Sequence, residues 1–377
     1  MLPLSLYIHI PWCIRKCPYC DFNSHKSPEQ LPEDNYVKAL IADLQYDLAL
    51  FEGRELQSIF IGGGTPSLFS AKAYDTLFKS IQPLLPFAHD IEITLEANPG
   101  TVEQQRFIDY RQLGINRLSL GIQSFNPIHL NALGRIHDAN QAHRAIDAAR
   151  IAGFDNINID IMHGLPNQTI AEGINDLRTA LNHQPEHLSW YQLTIEPNTV
   201  FYKTQPTLPI EEDACIIEEE GLALLESKHY NRYEISAFCQ TGKPARHNLN
   251  YWLFGDYFGI GAGAHGKLTS ADGQKIHRTR KHRQPADYLN PDKPFLAACD
   301  LLSTNDLIFE FMLNATRLQQ PIANALFTER TGLNFDHLQP GLNEARNKGL
   351  ITLNTTHWQI TPFGRRYTND LQSLFLY

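Results

Sequence analysis

The chain has 377 residues, 42% of them hydrophobic and 10% aromatic, which is enough for a sizeable core and excludes a disordered chain. Its 32 basic and 41 acidic residues give a net charge of −9 with histidine neutral, against a generally basic nucleic-acid binder. No apolar run approaches the roughly 18 residues of a membrane span, and Met1–Ile10 has no Lys or Arg ahead of an apolar stretch that Pro3 and His9 interrupt; the sequence reads as cytoplasmic, without a signal peptide.

Taken in chain order, short runs rich in Ile, Leu and aromatics predict strands at Leu4–Ile10, Ser58–Ile61, Ile91–Glu96, Arg117–Ile122, Asn156–Met162 and His187–Ile195. Longer mixed stretches between them predict helices at Pro32–Leu50, Ala71–Leu85, Val102–Leu113, Pro127–Ala152, Ile170–His183 and Glu211–Lys228. The spacing is that of one strand–helix unit, so a parallel sheet with outer helices is expected over residues 1–240, either doubly wound or a barrel. A seventh strand is expected at Arg232–Phe238. No GxGxxG follows the first strand, which weakens a dinucleotide fold. Residues 241–302 read as a connecting segment with a Gly-rich stretch, Gly255–Gly266, and a basic loop, His277–Arg283. Residues 303–377 differ again: helices at Leu307–Leu318 and Phe335–Lys348 and a hairpin at Gly349–Thr361 predict a winged-helix-like module. Its acids and bases balance, which argues against DNA binding.

Of six cysteines, Cys13, Cys17 and Cys20 cluster as CxxxCxxC, while Cys215, Cys239 and Cys299 are scattered and read as plain thiols. So tight a cluster points to metal binding or catalysis rather than disulfides in a reducing compartment. Structural zinc takes four ligands; His9 or His25 flanks the cluster and keeps a Cys3His site open as an alternative. Three thiolates also suit a [4Fe–4S] cluster with one iron left free for a small molecule. The loop follows the first strand, at the carboxyl end of a parallel sheet, where barrel active sites lie.

CxxxCxxC after a first strand resembles the radical S-adenosylmethionine (radical-SAM) superfamily, and further motifs extend the likeness. Gly62-Gly63-Gly64-Thr65-Pro66 is similar to the family's segment that contacts the methionine amino group. Glu96 in LEANP, Gln123 in GIQSF, Arg135 in LGRIH, Asp160 in the strand IDI and Tyr7 in YIHIPW resemble the subgroup related to oxygen-independent coproporphyrinogen dehydrogenases, as does His163–Thr169, HGLPNQT. The resemblance implies a partial (β/α)6 barrel. It implies a cluster on Cys13, Cys17 and Cys20, and an S-adenosylmethionine pocket shaped by Tyr7, Gly63, Gly64, Thr65, Glu96, Gln123, Arg135 and Asp160.

Two features depart from the dehydrogenases. They carry a further cysteine two places after the third, where this chain has Phe22, and a longer segment ahead of the cluster, where this chain has twelve residues. The pattern, with His247-Asn248-Leu249-Asn250-Tyr251-Trp252 as an HNxxYW segment, is similar to the HemW-type haem chaperones. That likeness implies haem as cargo, acceptor apo-haemoproteins, respiratory ones included, and a reductant for the cluster. His247 is the candidate haem ligand, and His277, Arg278, Arg280, Lys281, His282 and Arg283 are candidates for the propionates. The alternatives are the dehydrogenase itself, which decarboxylates propionate side chains, and a redox-sensing winged-helix regulator.

Overall fold

The computed structural model describes residues 2–100 and 104–376. Six parallel strands lie side by side in chain order: β1 (Leu4–Ile10), β2 (Leu56–Gly63), β3 (Phe87–Ala97), β4 (Arg117–Gln123), β5 (Ile157–His163) and β6 (His187–Gln192). These strands are nearly continuous apolar runs because both faces are covered; Leu4, Leu6, Ile8 and Ile10 of β1 are fully buried. Parallel neighbours need long crossovers. Helices Glu33–Leu48, Ala71–Ile81, Gln104–Gln112, Ala139–Ile151 and Ile170–Asn182 supply them. Their starts are written locally: Ser70 caps the second, and Asp138 with Gln141 and Thr169 with Glu172 form capping boxes on the last two. The result is the expected partial (β/α)6 barrel. The first two residues of the helix expected at Val102–Leu113 lie outside the described residues.

The sheet continues on both sides. Beyond β6 come β7 (Asn231–Arg232) and β8 (Ala237–Cys239), both antiparallel. The expected seventh strand at Arg232–Phe238 is therefore broken. Glu234 turns the chain by accepting from the Ser236 N–H at 2.9 Å, while Arg232 binds the Ile235 carbonyl. On the other side β9 (Asp256–Ile260) runs parallel to β1, and β10 (His265–Thr269), β11 (Ile276–Lys281) and β12 (Leu296–Leu301) follow antiparallel. The sheet has twelve strands in the order β12-β11-β10-β9-β1-β2-β3-β4-β5-β6-β8-β7 and stays open.

Residues 241–302 thus do more than connect: they flank the first strand. The basic segment is not a free loop. Most of it is β11, in which Arg278 pairs with Glu310 at 2.6 Å and Arg280 with Asp300 at 2.9 Å. Lys281 is fully buried between Asp43 at 2.5 Å and Asp47 at 2.6 Å. Alternating polar residues on a strand placed against helix Glu33–Leu48 explain the pattern that reads as a basic patch.

The helix expected at Pro127–Ala152 is two, Pro127–Ala132 and Ala139–Ile151. Gly134, at φ +65°, ends the first in a left-handed turn, and the Asp138 box starts the second. The break turns Arg135 towards the strand ends.

The last module contains helices Thr304–Ala315, Asn324–Thr331 and Gln339–Asn347 and a three-stranded antiparallel sheet, ordered Ile322–Ala323, His357–Ile360, Ile351–Leu353. This is a winged-helix-like arrangement. Its core takes in Phe254, from the turn ahead of β9, and Ile276 of β11, so the module is seated on the barrel segment.

Candidate functional site

The carboxyl ends of the parallel strands surround a cavity of about 550 Å³. Cys13, Cys17 and Cys20 line it together with Gly63, Gly64, Thr65, Glu96, Gln123, Arg135 and Asp160. Residues picked from six separate segments of the sequence therefore meet at one place. Tyr7 is the exception. Its hydroxyl donates to His9 Nδ1 at 2.9 Å, while His9 Nε2–H donates to the Asn23 carbonyl at 2.9 Å. Burial holds His9 at a pKa of about 4, so the ring is neutral and that tautomer follows. Tyr7 thus braces the end of the cysteine loop from behind the cavity wall.

The loop is pinned at both ends. Trp12–Cys13 pairs with His25–Lys26 in a short parallel ribbon, and Pro18 accepts from the Phe201 N–H at 3.0 Å. Chain geometry forces glycine beside it. Gly63 has φ +113°, and a Cβ there would lie 2.6 Å from the His9 ring; a Cβ on Gly64 would lie 2.5 Å from the Trp12 carbonyl oxygen. The glycines let β2 close against the loop.

A chain of hydrogen bonds joins the thiols. Thr65 Oγ1 donates to Cys13 Sγ at 3.5 Å, Asn98 Nδ2 to Thr65 Oγ1 at 3.0 Å, Arg135 Nη2 to Asn98 Oδ1 at 2.6 Å, and Arg135 Nη1 to Cys17 Sγ at 3.6 Å. Cys20 Sγ lies 3.8 Å from Ser24 Oγ. Burial raises the Cys13 and Cys20 thiols above their ordinary pKa, and the hydroxyl and amide donors only partly offset this.

Glu96 accepts from the Gly63 N–H at 3.1 Å. Burial, aided by the nearby Asp160 charge, pushes its pKa up to about 8. At neutral pH Glu96 is largely a carboxylic acid, able to donate as well as accept. Asp160 has protein partners: Ser119 Oγ at 2.9 Å and Asn158 Nδ2 at 2.7 Å. Gln123 ends β4 at φ +71°, in the left-handed region that a non-glycine residue rarely adopts, next to a register shift in the ladder. Tyr191 donates to its Oε1 at 2.7 Å. Such strain persists where surroundings over-determine it, typically at ligand sites.

Do these residues fit a cubane cluster and a small zwitterionic ligand? The donor set is three thiols on one short loop, which suits iron–sulfur ligation. Gly63 and Gly64 let β2 pack directly against that loop, and buried Arg135 Nε, beside Cys17 on the cavity wall, has no hydrogen-bond partner among the described residues. The site fits.

His247 lies elsewhere. It is 1% exposed, with Nδ1 3.0 Å from Ser58 Oγ and Nε2 2.8 Å from Tyr251 Oη. Burial lowers its pKa to about 3. Asn248 and Trp252 of the same segment do line the cavity. Sequence reading missed several lining residues. Asn98 stood in a motif already singled out, one residue before a proline at a strand end. Tyr191 is the penultimate residue of β6, where position alone was a signal. Arg317 had none: it comes from the last module, stacks 4.3 Å over the Trp252 ring and pairs with Glu234 at 2.9 Å.

The radical SAM superfamily model matches residues 7–180, and the HemN C-terminal domain model matches residues 302–367. The heme chaperone HemW of Escherichia coli is 49% identical over 99% of this chain and 98% of its own length. That of Haemophilus influenzae is 48% identical over the same shares. The solved structure of coproporphyrinogen III oxidase, HemN, from Escherichia coli superposes with a TM-score of 0.84 over 100% of this chain and 90% of that one, at 24% identity, a likeness of fold. The chain belongs to the HemW family of radical SAM proteins.

Proposed function

We propose that the protein is a haem chaperone. It binds haem and passes it to acceptor apo-haemoproteins, respiratory ones among them, and it carries a [4Fe–4S] cluster and S-adenosylmethionine in the cavity at the strand ends. One observation carries the reading: the chain matches the haem chaperones along its whole length, and in it three loop thiols converge on one strand-end cavity.

Cys13, Cys17 and Cys20 are assigned to the cluster. Thiols must ionise to bind iron, and burial resists this at Cys13 and Cys20, so loading releases protons. Gly63 and Gly64 let β2 close against the cysteine loop, and Thr65 holds Cys13 in place. Glu96, neutral at pH 7, can pair with ribose hydroxyls without placing a second charge beside Asp160. Arg135 brings a fixed positive charge to Cys17. When bound, a reduced cluster of this family supplies one electron to the sulfonium of S-adenosylmethionine; a separate reductant supplies the cluster. No helix among the described residues is long and apolar enough to cross a membrane. Cytoplasmic placement belongs to the same proposal, because half-buried thiols stay reduced there.

The test is anaerobic reconstitution with iron and sulfide, then haem titration followed at the Soret band, then addition of an apo-haemoprotein. Saturable binding and transfer are expected, with no protoporphyrinogen formed from coproporphyrinogen. Absence of haem binding, or appreciable turnover of coproporphyrinogen, overturns the proposal.

A further inference from the structure

The haem site itself is unassigned. The cavity is about 550 Å³, and pockets of roughly 300–1,000 Å³ hold one drug-sized ligand. A cavity that takes a cluster and S-adenosylmethionine has no room left for a macrocycle. His247 is sealed in the core with both ring nitrogens engaged. The basic strand β11 spends Arg278, Arg280 and Lys281 on ion pairs. These three places are closed to the cargo, whereas the residues at the cavity's mouth are exposed.

One group at that mouth has no other explanation. Phe22 lines the cavity yet is 61% exposed. Its backbone is firmly held: its carbonyl accepts from the Ser24 N–H at 2.7 Å and from Lys16 Nζ at 3.2 Å. The turn so fixed throws the ring outward. Leaving a Phe ring in water forgoes about 1.5–3 kcal/mol of burial, so a rigidly presented one marks a contact surface. Arg15 and Lys16 line the same rim, both exposed. Arg15 has no ion-pair partner among the described residues, and Lys16 binds only backbone carbonyls. Asp21, also on the rim, leaves this loop net positive.

We propose that Phe22, Arg15 and Lys16 form the haem platform: the macrocycle lies against the Phe22 ring, and its two propionates meet the two cations. A flat apolar disc with two carboxylates on one edge is complementary to one aromatic face beside two positive charges. The platform places the cargo next to the cluster loop, outside the cavity, where an acceptor protein can reach it. This inference rests on the haem-chaperone reading and adds to it the place where haem is held.

Cluster-loaded protein is titrated anaerobically with haem, with metal-free protoporphyrin IX and with haem dimethyl ester. Phe22→Ala should weaken haem and protoporphyrin binding about tenfold, with iron content unchanged, and Phe22→Trp should restore it. Arg15→Glu should weaken haem but not its dimethyl ester, and serves as the independent variant if Phe22→Ala loses iron. If the wild type binds haem and neither variant changes its affinity, the platform is wrong and the chaperone reading stands. If haem affinity is unchanged but transfer to the acceptor slows, the rim docks protein and the platform is again overturned. If the wild type binds no haem, both readings fall.

Discussion

Arg135 Nη1 sits 3.6 Å from Cys17 Sγ, although 118 residues separate them in sequence. The other terminal nitrogen of the same guanidinium bonds Asn98 Oδ1 and the Gly121 carbonyl, at 2.6 and 2.5 Å. One fork therefore ties the cysteine loop to the ends of β3 and β4.

Arg135→Ala should remove the fork's bonds to Cys17, Asn98 and the Gly121 carbonyl inside a low-dielectric wall. A loss of about 2–4 kcal/mol in urea unfolding is expected. Iron retained after anaerobic gel filtration should fall with it. Arg135→Lys keeps the charge but not the fork, so it should recover stability only in part. An alanine variant with wild-type iron content and unfolding midpoint would refute the linkage.

Glu96 makes stability fall as pH rises. Its folded pKa is about 8, against 4.5 ordinarily. Between those values the folded state holds a proton that the unfolded state has released, so stability is greatest below about 4.5 and declines up to about 8. The span corresponds to a few kcal/mol in the cofactor-free protein. Glu96→Gln should remove this decline and be the more stable protein at pH 9, as measured by urea unfolding across the range.

His247 acts in the opposite direction. Its folded pKa of about 3 lies below the ordinary 6.5, so its contribution is complete above about 6.5 and lost as pH falls towards 3. His247→Ala removes a ring bonded to Ser58 and Tyr251 and should cost about 2–4 kcal/mol. The haem Soret band of the folded fraction should be unchanged; a lost or shifted band would show that the ring reaches the iron.

Lys281→Met should be among the most damaging single changes away from the cavity. It strands Asp43 and Asp47, both fully buried, at an expected cost of about 3–5 kcal/mol. Adding Asp43→Asn and Asp47→Asn should recover much of the loss, read as the thermal unfolding midpoint.

The barrel was legible because β1 to β6 are apolar runs at regular intervals with capped helices between them. The thiols and strand-end polar groups were legible because parallel topology gathers consecutive strand ends. What hid was non-local. The pairing of β9 with β1 joins residues some 250 apart, and nothing in Asp256–Ile260 announces its partner. The charges of β11 resembled a surface patch because their carboxylate partners lie on helix Glu33–Leu48, on β12 and on Thr304–Ala315. His247 looked available because a motif shows identity and not depth. Arg317 reaches the cavity only through the seating of the last module.

Strand β1, which delivers the cysteine loop, is flanked by β2 on one side and β9 on the other. A recombinant fragment ending at residue 240 would keep every cysteine of the cluster and lose that second neighbour. Its first strand would become a naked, apolar edge offering unpaired N–H and C=O groups. Such a fragment should self-associate into inclusion bodies. The cluster site is contiguous in the first half of the gene, yet it can be produced only with the residues that close β1 from the other side.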